Sequence, residues 1–361
     1  MTGGGVYPAI AVLQALKDKV DEVLWVGSRS GMEADILAQY SISFESISAA
    51  GVHGVSLRSL PGNLLQLARG FCEAKTIIRK FEPDVLFMTG GYLDVPVAFA
   101  GRKIPAVVFI PDIEPGYALK AILLTTKNVA VSTSRSLVYL NNKKAVVTGY
   151  PIRETLKQWD RTKARAFFGI DNNARVLLTF GGSKGAYSIN HALYKSLKSF
   201  LKDMDIIHVS GKNNWEAARQ MKESLEPSLK KKYHAYPFLH DEMGAAFAAA
   251  DLVVCRAGAS TLGELPYFGL PAILVPYPYA WRYQTENAEY LQENKGALLM
   301  KDENLGEFLE TEVINLIHDP ERLAAMRSAM HALSTPESAT KIAEMIIKAA
   351  KQPILKEESY G

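Results

Sequence analysis

Cysteine is scarce in this 361-residue chain: there are two, Cys72 and Cys255, far apart and each among apolar neighbours. That excludes a disulfide framework and leaves no thiolate spacing for a structural metal; the pair reads as two buried thiols in a reducing compartment. Unbalanced charge is scarce too. Forty-one Lys and Arg stand against 38 Asp and Glu, a net charge of +3, too little to argue for nucleic acid as a partner. The excess falls in residues 1–150, where 15 basic side chains face 12 acidic ones. No apolar run approaches the ~18 residues that a membrane-spanning helix needs. The N-terminus lacks the charged and apolar regions of a secretory signal. These absences point to a cytoplasmic protein that at most touches a membrane. The seven histidines show no metal-ligand spacing, and neither GxSxG nor GxxxxGK[ST] occurs. A zinc enzyme, a serine hydrolase and a P-loop kinase are therefore disfavoured. Asp203-Met204-Asp205 has the DxD form used to hold metals, but it precedes a strand pattern rather than following one and reads as surface decoration.

What is present is alternation. The length exceeds one hydrophobic core, and 48% of the residues are hydrophobic, so two domains are expected. Short β-branched runs fall at 22–28, 43–49, 84–90, 106–110, 128–133 and 145–149, with amphipathic stretches such as 62–80 and 92–102 between them. The pattern restarts at 175–182, 205–211, 233–239, 252–258, 272–278 and 296–300. Strand–helix alternation with few hairpin signals predicts parallel sheets built from crossover units. Two doubly wound domains follow, 1–150 and 151–336, joined near 148–156 where Gly149 and Pro151 punctuate the chain. A last helical segment, about 337–361, has no strand of its own and is expected to pack back on the first domain. In such sheets ligands bind at the carboxyl ends of the strands, and two facing domains make a cleft there.

Glycine-rich loops after strands are the positions to inspect. Gly3, Gly4 and Gly5 run into a helix with Pro8 in its first turn, a phosphate-binding form for which no strand precedes. At 177–190 a strand ends on Gly181-Gly182, Ser183 is placed to cap the next helix, and Gly185 allows close backbone approach. The loop suits a diphosphate and equally a plain strand–helix turn. At 255–265, Gly258, Ala259 and Ser260 expose backbone amides, and Glu264 falls early in the following helix. A carboxylate there accepts hydrogen bonds from a ribose diol or complements the helix dipole. Gln284 and Asn287 have the groups to read sugar hydroxyls, or else lie on a solvated helix face. Gly91 and Tyr92 lie in the stretch 89–96, which follows a strand, as does the stretch 109–120. Asp94 and Asp112 are the acids nearest the expected cleft, while Glu33 and Asp35 sit at a helix start, where an acid is more often a cap than a base.

Taken together, TGGGVYPA (2–9), GMEADIL (31–37), PDVLFMTGGY (83–92), GYPIR (149–153), FGGSKGA (180–186), CRAGASTLGE (255–264) and QTENA (284–288) resemble the MurG-type N-acetylglucosaminyltransferases in order and spacing. The resemblance spans nearly the whole chain from Thr2, and the pair FGGSKGA and RAGASTLGE is its most specific part. It implies an α/β fold of the GT-B kind, two Rossmann-like doubly wound domains facing a cleft. It implies inverting transfer of N-acetylglucosamine from UDP-N-acetylglucosamine (UDP-GlcNAc) to undecaprenyl-diphosphate-linked muramoyl peptide, lipid I to lipid II of peptidoglycan synthesis. The work would be done on the inner membrane face, with no metal or other cofactor in the donor site. Carried over by position, Ser183 with Gly182 and Gly185 would face the diphosphate, and Arg153 and the backbone near Phe238 and Leu239 the uracil. Glu264 would take the ribose hydroxyls, and Gln284 with Asn287 the sugar. Thr2, Gly3, Gly4, Gly5, Gly91 and Tyr92 would form the acceptor and phosphate loops.

The acceptor half departs from the family's pattern. Gly5 stands where TGGH has its histidine, and Phe109, Ile110, Pro111 and Asp112 stand where the family has HEQN. Tyr150 replaces the asparagine of the linker motif. With the family's histidines missing, Asp112 becomes the expected general base and Asp94 the second candidate, both on loops after strands. The family also begins with an apolar strand ahead of its glycine loop, whereas Met1 falls inside that loop. Such a strand would be central in the first sheet, and its loss would leave ladder groups and core exposed. The simplest reading is a start assigned downstream of it. Residues 55–80 interleave apolar side chains with Arg58, Arg69, Lys75, Arg79 and Lys80, which suits an anionic lipid surface or a core-facing helix with solvated charges. Two rival functions follow from these departures: the same donor chemistry on another lipid acceptor, and a donor-binding protein that has lost transfer. A nucleotide-sugar epimerase on the same fold is a more distant alternative.

Overall fold

The computed structural model describes residues 3–28, 37, 40, 42–51, 60–140, 145–279 and 282–352. The chain divides into two compact units, Met1–Pro151 with Glu337–Gly361, and Ile152–Pro336.

In the first unit, helix α1 (Gly3–Leu16) is followed by β1 (Leu24–Ser28), β2 (Ser43–Ile47) and α2 (Leu60–Phe81). Then come β3 (Leu86–Met88), α3 (Asp94–Ala100), β4 (Ala106–Ile110), β5 (Asn128–Val131) and β6 (Ala145–Val147). β4, AVVFI, is buried at every position, as a parallel strand covered on both faces must be. The C-terminal helix Ser338–Ala350 packs on α1 and β4, burying Ile342 and Ile346 at helical spacing. The three glycines lie inside the first turn of α1 rather than in a loop ahead of it, so Pro8 falls in the second turn.

The strands of this unit form two parallel sheets among the described residues, β1-β2 and β3-β4-β5-β6. Between β1 and β3 runs an apolar slot of about 240 Å³, lined by Leu24, Trp25 and Val26 on one side and Leu86, Phe87 and Met88 on the other. Val12 and Leu16 of α1 and Ile346 of the C-terminal helix also line it. Thr89, directly after β3, donates its hydroxyl to Gly5 O at 2.9 Å, which holds the start of α1 beside the end of β3. A strand that fed α1 and crossed right-handedly into β1 would run in this slot, parallel to β3. The slot thus lies where the expected first strand would run.

The second unit holds β7 (Val176–Phe180), β8 (Asp205–Val209), β9 (Tyr233–Tyr236), β10 (Leu252–Cys255), β11 (Ala272–Leu274) and β12 (Ala297–Leu299). Its helices include α4 (Arg161–Phe168), α5 (Tyr187–Asp203), α6 (Thr261–Phe268) and α7 (Tyr283–Glu293). The sheet is parallel throughout, in the order β12-β11-β10-β7-β8-β9. Strand order reverses between β7 and β10, and a doubly wound sheet opens its binding crevice at the carboxyl ends of such a pair. At the opposite end of the sheet Arg165 of α4 is fully buried. Its guanidinium donates to Asp251 Oδ2 at 3.0 Å and to the carbonyls of Ala249, Asp171, Asn172 and Ala174, tying the entries of β7 and β10 together.

Candidate functional site

The turn after β7 is built on two glycines in the left-handed region, Gly182 at φ +87° and Gly185 at φ +81°. Gly185 N donates to Gly182 O at 2.9 Å, closing the turn around Ser183 and Lys184. A Cβ on Gly185 would run into the Ser210 carbonyl of the turn after β8, so the residue is held to glycine by conformation and by space. Ser183 does not cap the following helix. α5 starts at Tyr187 with Ala186 at its N-cap, because the glycine turn takes up the residues between. Ser183 is left half-buried on the turn.

After β10, Gly258 borders open space, Ala259 is buried and Ser260 is the N-cap of α6. Glu264 lies in the first turn of α6, in the sequence's expected place. Burial raises its carboxyl above the ordinary range, opposed by the nearby Arg153 charge and by the Ser260 hydroxyl. Arg153 is 7% exposed and donates from Nη1 to Asp241 Oδ1 at 3.0 Å, an acceptor it shares with Thr155. Leu239 is buried, and Phe238 meets His240 edge-on with ring centroids 4.7 Å apart. Gln284 Oε1 accepts from Tyr277 N at 2.8 Å. Asn287 is fully buried and donates to Ala257 O at 3.1 Å. Within this unit Gly182, Ser183 and Gly185 lie on the turn after β7, Phe238 and Leu239 after β9, and Gly258, Ala259 and Ser260 after β10, while Glu264 stands on α6, Gln284 and Asn287 on α7, and Arg153 at the N-cap of the short helix Glu154–Lys157.

Sequence reasoning passed over the residues that hold those loops. Arg256 sits within the quoted CRAG stretch, and a charge directly after a fully buried strand was the available signal. Asp302, Ser188 and Tyr277 surround it. His208 of β8 is also fully buried, with Nδ1 2.6 Å from Tyr233 Oη and Nε2 3.1 Å from Asn190 Oδ1. Burial lowers its pKa to about 3, so it is neutral at physiological pH. Asn190 Oδ1 can only accept, so His208 carries its proton on Nε2 and accepts from Tyr233. Asn190 in turn donates to Ser210 O at 2.9 Å, the carbonyl against which Gly185 packs.

In the first unit Thr2, Glu33 and Asp35 lie outside the described residues. Gly3, Gly4 and Gly5 open α1, while Gly91 at φ +117° and the exposed Tyr92 form the turn before α3. Asp94 is buried and accepts the Gly90 N–H at 2.8 Å, which commits one oxygen to shaping that turn. Asp112 is half-buried on the loop after β4. Phe109 and Tyr150, two of the departures from the family pattern, are both buried and meet edge-on at 5.9 Å. Two sequence expectations fail outside these sites. Cys255 is buried, but Cys72 is exposed on α2, because the apolar residues beside it in sequence point to other sides of the helix. Asp205 of the DxD triplet is the first residue of β8, bonded to His234 Nε2 at 2.9 Å, and not a loose surface acid.

Residues 2–131 match the glycosyltransferase family 28 N-terminal domain, and residues 176–345 match the family's C-terminal domain. The UDP-N-acetylglucosamine–N-acetylmuramyl-(pentapeptide) pyrophosphoryl-undecaprenol N-acetylglucosamine transferase of Roseiflexus sp. (strain RS-1) is 36% identical, covering 96% of this chain and 92% of the relative. The enzyme of the same name from Halothermothrix orenii is 35% identical, covering 97% of each. Among solved structures, MurG of Acinetobacter baumannii aligns at a TM-score of 0.73 with 23% identity, over 94% of this chain and 95% of that one. A UDP-GlcNAc 2-epimerase from Neisseria meningitidis shares the fold at a TM-score of 0.66 and 14% identity, over 95% of this chain and 96% of that one. Those likenesses match the two doubly wound parallel units, the GT-B architecture, and the chain belongs to glycosyltransferase family 28, in its MurG group.

Proposed function

We propose that the protein is an inverting hexosyltransferase that moves N-acetylglucosamine from UDP-GlcNAc to polyprenyl-diphosphate-linked muramoyl peptide, the lipid I to lipid II step of peptidoglycan synthesis. The observation that carries the donor half is the gathering of Gly182, Gly185, Gly258 and Glu264 at the reversal point of the second sheet. Full-length likeness to transferases named for this reaction supplies the acceptor. An acceptor hydroxyl oxygen attacks C1 of the sugar in line; the C1–O bond to the diphosphate breaks and UDP leaves with the electron pair. Backbone N–H groups in the turns after β7 and β10, with the dipole of α6 behind the second, meet the charge that develops there, so this reading requires no metal. The hydroxyl proton goes to Asp112. Asp94, which accepts the Gly90 N–H, is the second candidate.

The membrane side of the reading rests on α2. Leu64 and Leu65 are 53% and 72% exposed near its start, and Arg69, paired with Glu73, then Lys75, Arg79 and Lys80 follow along the same helix. Such a face suits the anionic inner leaflet, where a polyprenyl acceptor is held, and makes the protein peripheral on the cytoplasmic side. No helix of the described residues is long and apolar enough to cross a membrane. Arg58 of the expected basic stretch lies outside the described residues.

One assay tests the whole reading: incubation with labelled UDP-GlcNAc and bacterial membrane lipid extract, followed by identification of the labelled product. Label in a lipid-linked disaccharide is the expected result. Label in a different lipid supports a second reading, the same donor chemistry on another lipid acceptor. The buried Phe109–Tyr150 pair favours that one, because an apolar contact fills positions where the resembled pattern is polar. UDP binding with no transfer would leave a non-catalytic, donor-binding protein.

A further inference from the structure

Gln284 and Asn287 do not stand alone at the donor site; each is held by the backbone of a loop, and one guanidinium ties those loops together. Arg256 donates from Nη2 to Ser188 Oγ at 2.8 Å and from Nη1 to Asp302 Oδ1. Ser188 Oγ in turn donates to Asp302 Oδ1 at 2.8 Å, closing a three-membered ring of side chains from the start of α5, the end of β10 and the turn after β12. The same Nη1 points at the carbonyls of Val275 and Pro276, 3.2 and 3.3 Å away, and the guanidinium carbon lies 5.3 Å from the centre of the Tyr277 ring. Tyr277 N–H holds Gln284 Oε1, and Asn287 Nδ2 holds the carbonyl of Ala257, the residue next to Arg256. The Arg256 and Asp302 side chains are 11% and 23% exposed, so the pair is shielded from the screening that makes surface ion pairs weak.

We propose that Arg256 is a positioning residue for the sugar-reading amides, with Asp302 and Ser188 as its anchors. The inference deepens the reading of this unit as a UDP-sugar site and rests on it. Arg256 sets the Val275–Tyr277 segment, which sets Gln284, and the turn at Ala257, which receives Asn287. With Oε1 occupied by Tyr277 N–H, Gln284 offers its Nε2 hydrogens, so it reads sugar oxygens as a donor. A lysine cannot reach Ser188, Asp302 and two carbonyls at once, because it lacks the planar fork.

The test is calorimetric binding of UDP, UDP-GlcNAc and its C4 epimer UDP-N-acetylgalactosamine to wild type, Arg256→Lys, Asp302→Ala and the double variant. Asp302 lies on a turn apart from the expected ligand contacts, so Asp302→Ala keeps the test open if the arginine variant folds poorly. UDP affinity stays within about twofold, while both the affinity added by the sugar and the preference over the epimer fall about tenfold, the size of one lost hydrogen bond. The double variant is no worse than Arg256→Lys, because both break one network. Parallel losses for UDP and UDP-GlcNAc, or no loss in either, would overturn the positioning role. A wild-type protein that binds no UDP-sugar would instead bring down the donor reading on which the inference stands.

Discussion

Glu264 and His208 show how burial sets the chemistry of single side chains in the second unit. Glu264 is desolvated yet lies near the Arg153 charge, and on the proposed reading two ribose hydroxyls would replace the water it has lost. Glu264→Ala is expected to weaken UDP binding about tenfold or more, the usual worth of a hydrogen bond to a charged group, measured by titration calorimetry. His208 affects stability. Its folded pKa lies near 3, below the 6.5 of the free side chain, so between those values the unfolded chain takes up a proton that the folded protein refuses. Stability is therefore fully present above pH 6.5 and lost as pH falls toward 3, by up to about 1.4 kcal/mol per pH unit from this group. Urea unfolding from pH 7 to 4 measures the slope, and His208→Gln should flatten it. Neither environment was legible in the sequence: Glu264 was placed by its spacing after a glycine turn, whereas His208 was one histidine among seven.

Elements carry the next set of effects. The twelve apolar runs each hold one strand; β4 and β10 are continuous apolar runs buried on both faces, whereas β2 and β6 keep exposed positions. What joins the strands was less visible. Arg165 on α4 looked like one more basic residue on an amphipathic helix, yet it is fully buried and bridges the entries of β7 and β10. Arg165→Ala strips the donor from the carbonyls of Ala249, Asp171, Asn172 and Ala174, while Asp251 keeps Arg161 and the Val176 N–H, and should cost about 3 kcal/mol, read from denaturant midpoints. In the first unit, the slot between β1 and β3 leaves two strand edges and an apolar floor without a sheet neighbour among the described residues. A short apolar, β-branched segment added ahead of α1 is expected to fill it. The melting temperature should rise by several degrees, and the amides of β1 and β3 should gain hydrogen-exchange protection. An added segment of Gly and Ser should do neither.

At the scale of the whole molecule, two units with separate cores make separate thermodynamic bodies. The second holds every expected donor residue, and the expected base and lipid-facing helix belong to the first. Scanning calorimetry should resolve two transitions, and UDP at about 100 times its Kd should stabilise one of them by about 2.7 kcal/mol. A uniform shift of both would mean that the units unfold as one. Liposome sedimentation checks the other unit: binding should require anionic lipid and fall as salt screens the α2 cations.

The sequence by itself determined the alternation of strands and helices, the two-unit division and the turns on which most of the expected donor residues sit. Each of these follows from local rules: hydrophobic period, glycine conformation and the short reach of a strand–helix turn. It also marked the acceptor-side departures, since those are differences of residue type. Only the tertiary structure decided which of these residues support others. Arg256 reaches Asp302 across 46 positions, Arg165 reaches Asp251 across 86, and Phe109 meets Tyr150 from a different strand–loop unit. Such pairs leave no local periodicity, because the chain's route around the sheet, and not its neighbouring residues, brings them together. The slot between β1 and β3 is of the same kind, a feature of how two sheet edges stand that no single stretch of sequence spells out.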